Sequence, residues 1–229
     1  MLPTGLTAWE TDGPEPLLLA PVGVVVPAST DGPGKPRLPL TFERRETADA
    51  TFHVRSTGYH AALSAQSVGV TFSPDVHGER PASLVLDLVG ARARATAWTD
   101  AAPHPVHDLR PGRQTTRLAH ARVGFDAVYP GIAVPYYGTD ARIEQDFELA
   151  PGAEVRQIRL RLRTGALTLD GGGRLIAAVA GGESFALEAP HARHPEAGGG
   201  RAAVPVRYEL HPDGSAGFRV TGADPPVRW

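Results

Sequence analysis

A chain of 229 residues with 41% hydrophobic content can build one large β domain or two small sandwiches, and wholesale disorder is excluded. A net charge of −2 is the wrong balance for a nucleic-acid or anionic-membrane partner, and the lack of cysteine excludes disulfides and thiolate zinc sites. The positive charge is almost all arginine, Lys35 is the one lysine, and asparagine is absent, which fits the codon usage of a GC-rich genome better than a special arginine function.

Residues 1–36 read as a Pro/Gly/Asp-rich leader with one strand candidate, Val22–Val26. The apolar run from Leu17 to Val26 loosely mimics a signal peptide. However, Glu10, Asp12 and Glu15 precede it without a basic residue, and Pro21 interrupts it, so an extended strand is expected there. No apolar run is long enough to span a membrane. The body, residues 37–229, is punctuated by Gly and Pro between short apolar runs, and no stretch keeps a helical period.

Strands are expected in the body at 51–56, 59–64, 68–72 and 83–88, the first two joined through Thr57-Gly58 as a two-residue hairpin. A polar, Pro-rich stretch, 99–116, reads as a connector dividing two sheets or subdomains. Further strands are expected at 118–125, 134–137, 142–149, 158–163, 175–179, 183–187, 204–210 and 217–220. Asp170-Gly171-Gly172-Gly173, Gly181-Gly182 and Asp213-Gly214 supply turns that tolerate positive φ. The fold class is all-β, an antiparallel β-sandwich, either one large sandwich or two stacked ones.

One pairing is specified by side-chain pattern. Ile143, Phe147 and Leu149 share a face opposite Glu144, Asp146 and Glu148, while Ile158, Leu160 and Leu162 lie opposite Arg159, Arg161 and Arg163. Folding these runs as a hairpin through residues 150–157 sets Glu144 against Arg163, Asp146 against Arg161 and Glu148 against Arg159.

Several motifs carry a family resemblance: L-P-L-T-F-E at 38–43, G-Y at 58–59, L-D-L-V-G-A at 86–91 and A-R-V-G-F-D-A-V-Y-P-G-I at 121–132. They continue with Y-Y-G at 136–138, I-E-Q-D-F-E-L-A-P-G-A at 143–153, L-T-L-D-G-G-G-R-L at 167–175 and G-F-R-V at 217–220. On these the chain resembles the β-rich domain of unknown function that precedes SBBP-type β-propeller repeats in large secreted bacterial proteins. It departs at R-R-E-T-A-D-A (44–50), where the family is Asn-Gln-Gly-rich, and at V-H-D-L-R-P-G (106–112), where the family has N-Y-F-x-G. No propeller repeat follows within this sequence, so the domain is expected to stand here without the repeats that accompany its relatives. The resemblance implies a sandwich and an extracellular or cell-surface setting, with no catalytic residue to carry over.

The sharpest catalytic candidate is Glu144-Gln145-Asp146-Phe147-Glu148, an E-x-D-x-E strand like that of retaining β-glucanases, but pairing with the arginine row would disable a proton donor. His104, His107 and Asp108, and His191, His194 and Glu196, have metal-ligand types at short spacing, yet they read as loop side chains. Asp170 and Asp213 read as turn residues rather than calcium ligands. Ser64 and Ser184 lack a nucleophile elbow, and Gly198–Gly200 lacks a phosphate-loop lysine. Tyr129, Tyr136 and Tyr137 with Phe125 offer either a ligand platform or a pinned corner, and the corner is favoured. No catalytic, cofactor-binding or metal residue is assigned, and no cofactor is expected. The expected function is that of a non-enzymatic structural or adhesion-like domain, capping or presenting a partner module. Its partner is expected to be a protein or a surface glycan. A carbohydrate-active or carbohydrate-binding sandwich is the alternative.

Overall fold

The computed structural model describes residues 16–20, 24–25, 40–45, 51–56, 58–73, 82–93, 95–100, 104–110, 113–139, 142–179, 184–195 and 201–221. Among these, regular structure is almost entirely antiparallel β, as the sequence pattern expects, with a single 3₁₀ turn at Val155–Gln157. The largest sheet has ten strands. Their spatial order is β21 (Val206–Leu210), β22 (Ala216–Val220), β15 (Arg159–Leu162), β7 (Ser83–Leu88), β6 (Ser67–Phe72), β5 (Tyr59–Leu63), β4 (Thr51–Ser56), β3 (Phe42–Arg45), β10 (Arg113–His120) and β9 (His104–Arg110). An eight-stranded sheet runs β20 (Arg201–Val204), β19 (His191–Pro195), β1 (Leu17–Ala20), β14 (Phe147–Leu149), β12 (Ile132–Thr139), β11 (Arg122–Tyr129) and β8 (Thr96–Thr99). Its remaining strand, β13 (Arg142–Gln145), also pairs with β12. Four strands make the third sheet: β16 (Gly165–Leu169), β17 (Leu175–Val179), β18 (Ser184–Leu187) and β2 (Val24–Val25).

Period-two alternation fixes which face each strand buries. In β6 and β7, Val68, Val70, Phe72, Leu84, Leu86 and Leu88 turn inward, while Ser67, Gly69, Thr71, Ser83, Val85 and Asp87 turn outward. The inner face of the ten-stranded sheet meets both other sheets. Phe52 packs on Phe125 at 5.5 Å between ring centroids, Phe147 on Phe218 at 5.8 Å, and Phe72 stacks on Phe185 at 4.5 Å. Each such ring contributes about 2–3 kcal/mol by burial.

The hairpin β4–β5 forms as expected, with Ser56 opposite Tyr59 and Gly58 at a φ of 90°. The turns at Asp170 and Asp213 also form, whereas Gly181-Gly182 lies outside the described residues. The stretch expected to be an irregular connector, 99–116, instead holds β9 and part of β10, which pair over seven positions from Arg113↔Arg110 to Ala119↔His104. Its Pro105 sits on an edge strand, where a missing N–H is tolerated. From the leader, Val24–Val25 joins β18. Leu17–Ala20 lies between β14 and β19, with Leu17 and Leu19 in the core.

The charge-paired hairpin between 142–149 and 158–163 does not form. Strand β14 pairs with β12 and β1 in the eight-stranded sheet, and β15 pairs with β7 and β22 in the ten-stranded one. Residues 150–158 are a crossover between sheets. The two apolar rows therefore enter the core from opposite layers. An alternating pattern satisfies face-to-face packing as well as side-by-side pairing, and the arginines found other acids. Arg159 and Arg161 both reach Asp213, at 2.8 and 2.7 Å, and Arg163 pairs with Asp87.

Gly165, where the chain passes from β15 into β16, has a φ of +125°, and an added Cβ there would lie 2.0 Å from the Ala178 carbonyl oxygen. Gly165→Ala is expected to lower stability by about 2–4 kcal/mol, read as a fall in the urea midpoint at unchanged slope.

Candidate functional site

The outer face of the eight-stranded sheet gathers the polar residues that the sequence singled out. Alternation turns Ile143, Gln145, Phe147 and Leu149 inward and Glu144, Asp146 and Glu148 outward. On β12, Tyr137 stands opposite Glu144 and Ala133 opposite Glu148. On β11, Arg122 stands opposite Tyr137, and on β8, Trp98 opposite Gly124. Pro135 explains the break between β13 and β14. It accepts from the Asp146 N–H at 3.1 Å but has no N–H to return.

Short contacts tie these side chains together. The Tyr137 hydroxyl donates to both carboxylate oxygens of Asp146, at 3.1 and 3.0 Å. Arg122 Nη2 donates to Glu148 Oε1 at 2.7 Å, and its guanidinium carbon lies 5.5 Å from the Trp98 ring centroid. The indole rests on Gly124, where any Cβ would come within 2.5 Å of Trp98 Cζ2 and 2.8 Å of the Val134 carbonyl. Trp98 also lies beside Asp126, near enough to restrain the rise of its carboxyl pKa. Even so, neither Trp98 Nε1 nor Asp126 Oδ1 attains hydrogen-bond geometry.

Burial dominates the electrostatics. Asp146, 7% exposed, is pushed up to about 6 by desolvation, with the Tyr137 hydroxyl pulling the other way and the Glu148 charge adding to the rise. Burial also raises Glu144 and Glu148, against Arg142 and Arg122 respectively. The Tyr137 phenol is raised by its own burial and by Asp146. The expectation that arginines depress all three acids is thereby reversed, because the β15 arginines are on the other sheet. Glu144 and Glu148 are four residues apart on one strand run, about 13 Å by backbone rise, against the 5–5.5 Å of a double-displacement pair.

The other candidates separate. Tyr129 pins a corner as expected, donating to the Val89 carbonyl at 3.2 Å, its phenol pushed up to about 12 by burial. Tyr136 and Phe125 are core residues in edge-to-face contact at 6.2 Å, so the tyrosines form no platform. His191 and His194 lie three apart on β19, hence on opposite faces, and His107 Nδ1 bonds Thr116 Oγ1 at 3.0 Å. The side chains of His104 and Asp108, and all of Glu196 and Gly198–Gly200, lie outside the described residues. Asp170 caps its own turn through Gly172 and Arg174, as Asp213 does through Ser215. Ser64 bonds Ser67 within a turn, and Ser184 opens β18. Arg122 and Trp98 were missed, although Arg122 shares the outward parity of Gly124 along β11.

Two measurements probe this face. Gly124→Ala is expected to displace the Trp98 indole and cost about 1–3 kcal/mol, seen as a shift in tryptophan emission with a lower melting temperature. Because the Asp146 pKa is raised on folding, the folded chain holds that proton more tightly. Its contribution is fully present below about pH 4 and is lost as pH rises through about 6. Asp146→Asn is expected to remove that decline and to gain up to about 3 kcal/mol at pH 7, measured by urea unfolding across the window.

The family model described as a domain of unknown function (DUF7948) matches residues 42–227. No curated protein and no solved structure matches the chain. The matched span takes in the whole ten-stranded sheet and the whole outward acid row, and the chain belongs to this family of domains of unknown function.

Proposed function

We propose that the chain is a non-enzymatic, adhesion-like β domain of bacterial extracellular type that caps or presents a partner module. The observation that carries this reading is how the chemically equipped residues are used. Glu148 is held by Arg122, Asp146 is covered by Tyr137, and Tyr129, Tyr136 and Phe125 are sunk in the core. What remains outside is broad, regular sheet surface, and among the described residues β20, β8, β21 and β9 are edge strands. The likeness to domains that precede SBBP-type repeats supports a secreted or surface setting, with a protein or surface glycan as partner. Among the described residues, no helix is long and apolar enough to cross a membrane.

A second reading, a carbohydrate-active or carbohydrate-binding sandwich, draws on one observation. A half-buried tryptophan, an arginine stacked on it and a carboxyl that burial pushes up to about 6 share one outer face. Both readings meet in a screen of the purified chain for glycan binding and hydrolysis, beside Trp98→Ala, Asp146→Asn and Glu148→Gln. No turnover in any of the four proteins is expected. Turnover abolished by Asp146→Asn or Glu148→Gln would sink the non-enzymatic reading. Saturable binding lost in Trp98→Ala would place a glycan site on the eight-stranded sheet.

A further inference from the structure

The outer face of the ten-stranded sheet carries an arrangement that packing does not explain. The registers place His53 opposite Ala62, Ala62 opposite Gly69 and Gly69 opposite Val85, and the Val85 carbonyl accepts from the Arg163 N–H at 2.9 Å. A track of small side chains, Ala62–Gly69–Val85, therefore crosses the strands between a basic end on β3–β5 and the arginines of β15. The neighbouring row, Arg55–His60–Thr71–Ser83, repeats the plan with short polar groups.

Gly69 is the informative residue. It lies inside a strand, where glycine is unfavourable by roughly 0.5–1 kcal/mol relative to alanine. Yet an added Cβ would meet only the Ala62 carbonyl oxygen and Val85 Cγ2, each at 3.8 Å, which is ordinary contact. Nothing in the fold requires this glycine. A strand glycine marks a bulge, a tight bend or the close approach of a ligand or another backbone, and at Gly69 the register is unbroken on both sides with no other backbone layer against it.

The charges on this face are one-sided. Glu43 is engaged by Arg117 at 3.0 Å, Asp87 by Arg163, and Asp213 serves both Arg159 and Arg161. Among the described residues, Arg45 and Arg55 have no acidic partner. His53 sits among Arg45 and Glu43 of β3, Arg55 of its own strand and His60 of β5. Its imidazole is held below its usual pKa by burial and then by Arg45, with Glu43 opposing. The net charge of −2 averages this face with the acid-bearing face of the other layer.

We infer that the outer face of β3–β7 is a docking surface for an anionic polysaccharide, laid across the strands with its carboxylates on Arg45, His53 and Arg55 and its rings over Ala62, Gly69 and Val85. It rests on the adhesion-like reading and names the partner. Arginine forks suit carboxylates. A polymer crossing the strands meets a new strand about every 4.8 Å, a step close to that of one pyranose ring. A track of small side chains fits a sugar ribbon better than the varied side chains of an acidic peptide.

The test is binding of the purified chain to immobilised polygalacturonate at pH 5.5 and 7.5, beside polyglutamate and neutral dextran. Saturable binding to polygalacturonate is expected, tighter at pH 5.5 than at pH 7.5 because bound carboxylates favour the charged form of the His53 imidazole, and weaker in salt. Arg45→Glu with Arg55→Glu is expected to weaken it at least tenfold. Gly69→Glu, whose fold is checked by circular dichroism, is expected to do the same. Arg142→Glu on the other sheet leaves it unchanged, and His53→Gln flattens the pH dependence. No binding, equal loss in Arg142→Glu, or binding to polyglutamate as tight as to polygalacturonate would overturn the inference. Hydrolysis of the polymer would instead overturn the non-enzymatic reading on which it rests.

Discussion

The structure depends on burying one face of a ten-stranded sheet against two smaller sheets at once. The Phe52–Phe125 and Phe147–Phe218 contacts tie the ten-stranded sheet to the eight-stranded one, and the Phe72–Phe185 stack ties it to the four-stranded one. An apolar face that wide has no other way to leave water, and a single covering sheet does not supply both sets of rings. The frequent crossovers follow. Residues 150–158 move the chain from the eight-stranded sheet to the ten-stranded one. Pro205, between β20 and β21, makes another change of layer within a single residue.

Each side of every strand thus has a different duty. Inward residues are mostly apolar groups that fill a shared core, whereas outward residues are free to differ between the two layers. On the eight-stranded layer they became a partly buried knot of carboxyls, tyrosine, tryptophan and arginine, with pKa values raised mainly by desolvation. On the ten-stranded layer they stayed open, with short side chains between arginine-rich ends. The same alternation rule produced both surfaces.

Much of this was legible in the residues. Thr57-Gly58 announced its hairpin, Asp170 and Asp213 announced their turns, and the Tyr129 corner followed from its place before Pro130-Gly131. Pairing between distant strands was not legible. Glu144, Asp146 and Glu148 matched Arg163, Arg161 and Arg159 in sign and spacing, yet each side found partners elsewhere. Charge pairs on a sheet surface contribute only about 0.2–1 kcal/mol apiece, too little to outweigh the burial of Phe147 and Leu160 from opposite layers. The polar 99–116 stretch hid β9 and β10 for a related reason. An edge hairpin buries little, so its sequence carries no clear apolar alternation. Trp98 and Arg122 acquire meaning only once β8 and β11 are adjacent.

Strand β1 has a temporal implication. Leu17–Ala20 is hydrogen-bonded on one side to Phe147–Leu149 and on the other to His191–Pro195, so an early segment of the chain occupies an interior position between two late ones. During synthesis these apolar residues emerge well before either neighbour exists. They must be kept from premature association until about 170 residues have followed. The eight-stranded sheet is therefore among the last parts of the molecule to close, and its closing step links the two halves of the polypeptide into one cooperative unit.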